Sequence, residues 1–401
     1  MTSFQELTFA ELLSDAEIFV DGDWVESKDQ DPDGDVRLIQ LADIGDGFYI
    51  DKSSRFLNSD TAKRLKCTYL KEGDVLVARM PDPLGRACIF PKHDMPCVTV
   101  VDVCIIRPNL KKIDNKWLMY SINSPIIRRR INEYITGTTR QRISRGNLSK
   151  IKISVPPLAE QRRIASILDK ADELRKKRQQ AIEKLDQLLH AEFMSKFHQK
   201  NYPEFNVSDL LENEKSMRTG PFGSQLLHSE FVDEGIHVLG IDNAVQNSFN
   251  WAKPRFITEE KYKFLKRYTV KPKDVIITIM GTCGKCAVVP DDIPIAINTK
   301  HLCCITLDQT KCNPEFLHSY FLLHPTARNY LESRAKGAIM SGLNMGIIKE
   351  LPVELPPIKI QNEFSILKQK IILQKTLMIK ELSKLNELFT SLQIQAFSGT
   401  L

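Results

Sequence analysis

The 401-residue chain is 42% hydrophobic and 26% charged and has a net charge of +6, an ordinary globular make-up long enough for two or three domains. Met1 to Val20 carries Glu6, Glu11, Asp15 and Glu17 without a basic start and an apolar core, and so does not read as a secretory signal. No apolar run reaches the roughly 18 residues of a membrane span, and the nine cysteines follow no disulfide framework. A cytoplasmic protein with no membrane partner is expected.

In chain order, residues 1–47 come first, with thirteen acidic residues against Lys28 and Arg37, a local net charge of −11. DNA would repel this stretch, so it is expected to face a protein partner or solvent. Short β-rich runs follow at Val36–Ile39, Asp74–Val77, Ala87–Phe90 and Val100–Ile106, parted by Gly, Pro and Asp clusters that mark turns. A helix is expected from about Ser121 to Tyr134. Residues 123–152 hold eight basic side chains against Glu133 alone, a density suited to a polyanion.

The diproline Pro156-Pro157 then opens a stretch from Glu160 to Phe197 free of Gly and Pro, with Pro157 tolerated in a first helical turn. Ile164, Leu168, Ala171, Leu174, Ile182, Leu185, Leu189 and Phe193 recur at helical spacing. Roughly 38 residues give a rod about 57 Å long, whose apolar stripe needs a partner.

The second half repeats this plan at a spacing of 200 residues. Arg55 to Met80 and Arg255 to Met280 agree at nine of 26 positions, Asp74/Asp274 among them, where chance gives roughly one or two. The runs Ile236–Ile241, Val275–Ile279, Cys286–Val289 and Leu302–Leu307 read as the matching strands, and Pro314 to Ala335 as the matching helix. Pro356-Pro357 opens a second long helix with Phe364, Leu367, Ile371, Met378, Leu382, Leu385, Phe389 and Leu392 on its stripe. The period is too long for a solenoid and marks a duplicated domain. The expected fold is α+β, with two related globular domains at 1–155 and 201–355. Each is followed by a long helix, at 156–200 and 356–401, and the two helices pair as a coiled coil.

Chemistry of its own is not expected. The diprolines read Val155-Pro-Pro-Leu158 and Leu355-Pro-Pro-Ile358, with no polar residue before and no aromatic after, unlike the loop that holds a base for adenine methylation. Gly281-Thr-Cys-Gly-Lys-Cys286 has the wrong spacing for a phosphate loop. Cys283 and Cys286 have zinc spacing but lack a convincing second pair, so no metal is expected.

Asn147 to Ile164, reading Asn-Leu-Ser-Lys-Ile-Lys-Ile-Ser-Val-Pro-Pro-Leu-Ala-Glu-Gln-Arg-Arg-Ile, with its long charged helix, resembles the central conserved region of type I restriction–modification DNA-specificity subunits. Leu355 to Gln361 is similar to the distal copy, departing at Lys359-Ile360. Arg218-Thr-Gly-Pro-Phe-Gly-Ser224 resembles the opening of a target-recognition domain, and Asp21-Gly-Asp-Trp24 a second kind of opening. The resemblance implies two target-recognition domains that each bind one half of a split target on double-stranded DNA, and helices that form an antiparallel spacer. It also implies two methyltransferase subunits docked on the chain, with restriction and translocase subunits joining for cleavage. S-adenosylmethionine would sit on the methyltransferase and no cofactor on this chain. A duplicated DNA-binding or scaffold protein without a methyltransferase is the alternative.

Within that frame Arg128, Arg129 and Arg130 are expected on phosphates. Arg140, Gln141 and Arg142 carry the groups that pair with guanine and adenine edges. Arg79, Arg86, Lys285, Lys300 and Asn344 are further DNA candidates, while Gly220 and Gly223 shape a turn close to phosphate. Gln161, Ile164, Leu168, Leu185, Leu189, Gln361, Phe364, Ile371, Leu385 and Leu392 are assigned to the spacer helices and partner docking.

Overall fold

The computed structural model describes residues 4–137, 139–335 and 342–401. Contacts divide the chain into two units, Met1–Gln180 with Ile379–Leu401, and Ala181–Met378. Each long helix therefore contributes to both units, whereas the sequence boundaries set the helices apart as segments of their own.

In the first unit a four-stranded antiparallel sheet runs in the order Ile18–Asp21, Val103–Arg107, Val75–Ala78, Ala87–Ile89. Beside it lies a three-stranded sheet of Phe56–Leu57, Val36–Ile39 and Cys97–Thr99, the last two parallel. Alternation along the central strand shows why both faces are apolar. Val75 and Val77 join the cluster under the helices, while Leu76 and Ala78 join the cluster shared with the smaller sheet. The second unit repeats this, with Val275 and Ile277 on one side of their strand and Ile276 on the other.

Each unit is closed by a strand pair that the sequence did not suggest, Gln5–Thr8 with Lys152–Val155 and Glu204–Asn206 with Pro352–Glu354. The single helix expected in each half is two helices. They are Asn115–Asn123 and Pro125–Asn132 in the first unit, and Pro314–Leu323 and Pro325–Ala335 in the second. A proline pushes the residue before it out of helical geometry; Ser124 and His324 accordingly sit at ψ 149° and 128°.

Asp74 and Asp274, identical in the repeat, are buried carboxylates at the starts of the central strands. Arg107 grips Asp74 with two 2.7 Å bonds from the neighbouring strand. Arg218 takes over this role for Asp274 from one strand further out, at 2.7 Å, and Thr306 bonds the other oxygen. The acid is kept while its cation has moved.

The long helices span Leu158–Phe197 and Ile358–Ser398. Within the first unit they run antiparallel: Arg175 donates to Asn386 at 2.7 Å and Arg178 meets Glu381 at 2.8 Å. Within the second, Lys375 meets Asp186 at 2.6 Å and Phe364 packs on Phe193 and Phe197. The stripe is not confined to a helix–helix seam. Ile164 and Leu168 lie in one core with Trp117, Phe389 and Phe397, and Phe364 in another with Phe316 and Tyr320. Leu174, expected on the stripe, is 56% exposed.

Gln161 and Gln361, assigned to the spacer helices and partner docking, lie on those helices and are buried as interior latches. Gln161 Oε1 accepts the Asp114 N–H at 2.9 Å, and its Nε2 donates to the carbonyls of Pro156 and Lys112. Gln361 repeats the arrangement with Asn313, Pro356 and Lys311. Ile164, Leu168, Phe364 and Ile371 are likewise buried, and Leu185, Leu189, Leu385 and Leu392 half-buried.

Most acids of the N-terminal stretch lie at the surface, Glu6, Asp15 and Asp46 among them, and several are ion-paired within the unit. Asp29 pairs with Arg64, Asp15 with Lys112, Asp46 with Arg128 and Glu6 with Lys152. Asp43 is buried and accepts the backbone N–H groups of Gln40, Lys52 and Ser53.

Candidate nucleic-acid interface

Strand direction gathers one set of loops at one end of each unit. In the first, the Ile18–Asp21 and Val75–Ala78 strands both run antiparallel to Val103–Arg107. Their exits, 22–24 and 79–86, therefore meet the 100–102 turn that precedes Val103. Gly22 N–H donates to the Val103 carbonyl and Asp23 N–H to that of Thr99, both at 2.8 Å. Residues 139–143 join this end because Ile143 N–H donates to the Arg79 carbonyl at 3.0 Å. The second unit assembles 220–231, 240–247, 279–285 and 299–301 in the same way, with Leu343 N–H donating to the Ile279 carbonyl at 2.8 Å.

Arg140, Gln141 and Arg142 all lie exposed on this end. Arg79 and Arg86 reach it too, but as buried groups, and are corrected from DNA contacts to residues that hold loops. Arg86 donates to the carbonyls of Ile44, Leu41, Met80 and Pro83. Arg79 donates to those of Val101 and Ile143 and faces Asp21, which also faces Arg145. At the matching places the second unit has Thr219, Ile279 and Met345. A polar bolt in one repeat is replaced by largely apolar packing in the other.

The three consecutive arginines are split by the helix they sit on. Arg128 bonds Asp46 and Asn123, and Arg130 bonds the Lys152 carbonyl and faces Glu6. Both are half-buried and engaged within the fold, and Arg129 alone of the three is exposed.

In the second unit Lys300 is exposed, while Lys285 is half-buried and occupies the place of Arg86. Asn344 caps the Met345–Lys349 helix, accepting the Ile347 N–H at 2.9 Å. Of the stretch that matches Arg140–Arg142, residues 336–341 lie outside the described residues. Among the described residues no group of three His, Cys, Asp or Glu is placed to hold a metal. The buried thiols of Cys286 and Cys303 are pushed up to about 12 by desolvation, so they carry no thiolate at neutral pH.

Gly220 and Gly22 prove to be the same position in the two repeats. A Cβ at Gly220 would lie 2.0 Å from the Asn298 carbonyl oxygen, and one at Gly22 2.3 Å from that of Val100. Two residues on, each repeat presents an aromatic, Trp24 at 69% exposure and Phe222 at 49%. The two openings, which look different in sequence, correspond at a spacing of 198 residues rather than 200. Gly220→Ala is expected to destabilise the second unit, and Gly22→Ala the first, by about 2 kcal/mol or more, because the obstructing atoms are backbone. Urea unfolding with unit-resolved amide exchange measures this, and an unchanged midpoint would contradict the close approach.

Two copies of one fold, each with a loop end differing in charge from the other, mounted on a shared helix pair, define a duplicated recognition protein. The family model for the type I restriction modification DNA specificity domain matches residues 16–184 and again 201–387. The chain belongs to this family. It is 23% identical over 327 residues to the EcoBI specificity subunit of Escherichia coli, covering 75% of this chain and 68% of that one. It is 21% identical over 335 residues to the MjaVIII specificity subunit of Methanocaldococcus jannaschii, covering 79% and 77%. Its fold matches a chain solved in work on assembly and conformational transition of the type I R-M system, with TM-score 0.62, 14% identity and full coverage of both chains. The type I S subunit from M. genitalium matches with TM-score 0.55 and 15% identity over 99% of this chain and 96% of that one.

Proposed function

We propose that the chain is the non-catalytic reader of a type I restriction–modification complex, each unit contacting one half of a bipartite DNA target through its loop end. The observation that carries this is the exposed Arg140–Gln141–Arg142 segment on a loop end whose counterpart in the second unit has different chemistry. Two copies of one fold with different loops suit two different half-targets. Two methyltransferase subunits, carrying S-adenosylmethionine, would dock on the chain, and restriction and translocase subunits would join them. Exposed Ile366, Leu373 and Leu377 in the second unit, and Leu174 and Leu388 in the first, suit such docking. Among the described residues no helix is long and apolar enough to cross a membrane. Nine free cysteines fit the reducing cytoplasm.

Arg140→Ala with Arg142→Ala is expected to relax one half-target and leave the other intact, at a cost of about 1–3 kcal/mol per lost base contact. Sequencing of methylated DNA from cells carrying the complex reads this directly. Unchanged specificity at both halves would remove these residues from the reading set. Co-purification with a methyltransferase separates this function from that of a stand-alone DNA-binding scaffold, and the purified chain alone is expected to transfer no methyl groups.

A further inference from the structure

The loop end of the second unit holds a groove of about 780 Å³ between the Pro221–Phe231 segment and the turns at Gly240–Val245 and 299–301. Lys300 and His228 are exposed on it and His301 is half-buried. Burial, with Lys300 and Arg255 nearby, holds the His301 imidazole below its usual range, and the Lys300 ammonium gives the groove a positive charge. Asp242 also lines the groove, but its carboxylate is matched by Arg255. Phe231 and Ile241 supply apolar wall, and the buried Thr299 Oγ1 has no hydrogen-bond partner among the described residues.

The first unit has a groove at the same place, about 650 Å³, with the opposite chemistry. Val100, Val101 and Asp102 stand where the second unit has Thr299, Lys300 and His301. Asp23 and Glu26 add carboxylates, and among the described residues no cationic side chain lines it. The first unit's exposed cations lie instead on the neighbouring segment, where residues 137–145 contain Arg140, Arg142 and Arg145. The matching 337–345 contains no basic residue.

We propose that the second unit's groove seats one sugar–phosphate strand of the DNA, with Lys300 as its phosphate contact, and that the acidic groove of the first unit makes no such contact. The two grooves thus differ in whether they carry a phosphate anchor at all. A concave, half-apolar groove with a cation suits a backbone ridge: deoxyribose meets Phe231 and Ile241, and phosphate oxygens meet Lys300 and the unpaired Thr299 hydroxyl. Base edges lie on the floor of a DNA groove and are read by side chains that protrude. The assignment rests on the DNA-binding function proposed above.

The test uses the full chain co-expressed with its methyltransferase, bound to its target duplex across a salt series. Lys300→Ala is expected to weaken binding and to flatten the slope of log affinity against log salt by about 0.9, one phosphate contact. Lys300→Arg should keep the slope. The methylated sequence should stay the same in both variants, since a phosphate carries no sequence information. A scan of single methylphosphonates should find a position that weakens the wild type but not Lys300→Ala. A changed half-target in Lys300→Ala would make the groove a base reader and overturn the proposal. Unchanged affinity and slope would take the groove off the DNA. A wild-type complex without sequence-specific binding would overturn the functional reading itself, and the groove with it.

Discussion

Gln361→Glu is expected to destabilise the second unit by on the order of 3–5 kcal/mol, a large effect for a change of one atom and one charge. The Gln361 side chain is fully buried. Its Oε1 accepts the Asn313 N–H at 2.8 Å, a bond that a carboxylate would keep. Its Nε2 donates to the carbonyls of Lys311 at 3.0 Å and Pro356 at 2.7 Å. Glutamate would set a second oxygen against both carbonyls, and either buries a charge or takes up a proton to avoid it. Gln161→Glu should do the same to the first unit through Lys112 and Pro156. Urea unfolding followed by amide exchange assigns the loss to one unit. Equal loss in both units, or none, would refute the latch.

Acid is expected to unfold the second unit before the first. Two of the chain's eight histidines, His318 and His324, are buried in this unit. His318 Nε2 lies 3.0 and 3.1 Å from the carbonyls of Asn247 and Cys286, and its Nδ1 lies 2.7 Å from Lys368, which Glu315 holds at 2.6 Å. Burial first, then Lys368, pushes it down to about 4. His324 is stacked on Tyr320 and faces His198 and Glu354; burial, then His198, takes it down to about 4. A histidine that holds its proton less well when folded adds stability that is complete above its unfolded value, 6.5, and lost as pH falls towards 4. The full loss is on the order of 3 kcal/mol for each. The first unit's single histidine is His93. Exchange measured between pH 7 and 4 should show the second unit opening first, and His324→Phe should narrow the gap. Simultaneous opening would count against the two buried imidazoles.

The duplication, the central strands and both long helices were legible because each rests on a strong local signal: identical residues at fixed spacing, alternating Val and Ile, or 38 residues without a breaker. The Asp74/Asp274 identity was also visible, but not its meaning, since the arginine that holds the acid sits on different strands in the two units. Short closing strands such as Glu204–Asn206 were not legible, because a three-residue strand has no period to detect. For site residues the limit was burial. Arg86 and Arg140 are equally basic in a sequence; only the carbonyls of Leu41, Ile44, Met80 and Pro83 around Arg86 separate a structural guanidinium from an available one. Gln161 and Gln361 were noticed for their motif, and the pairing with Asp114 and Asn313 supplies the physical reason for them.

The sharing of each long helix between the units has a consequence for biosynthesis. Phe389, Ala396 and Phe397 belong to the same apolar cluster as Trp117, Leu118 and Ile164. While the ribosome is still making residues 181–378, the first unit has its strands and its own helix but not these three side chains. At about 5–20 residues per second, that interval lasts roughly 10–40 s. For that time the face around Trp117 is open to solvent, chaperones and other nascent chains. The first unit cannot complete its core in the order in which it is made; it waits for Phe389 and Phe397 to arrive.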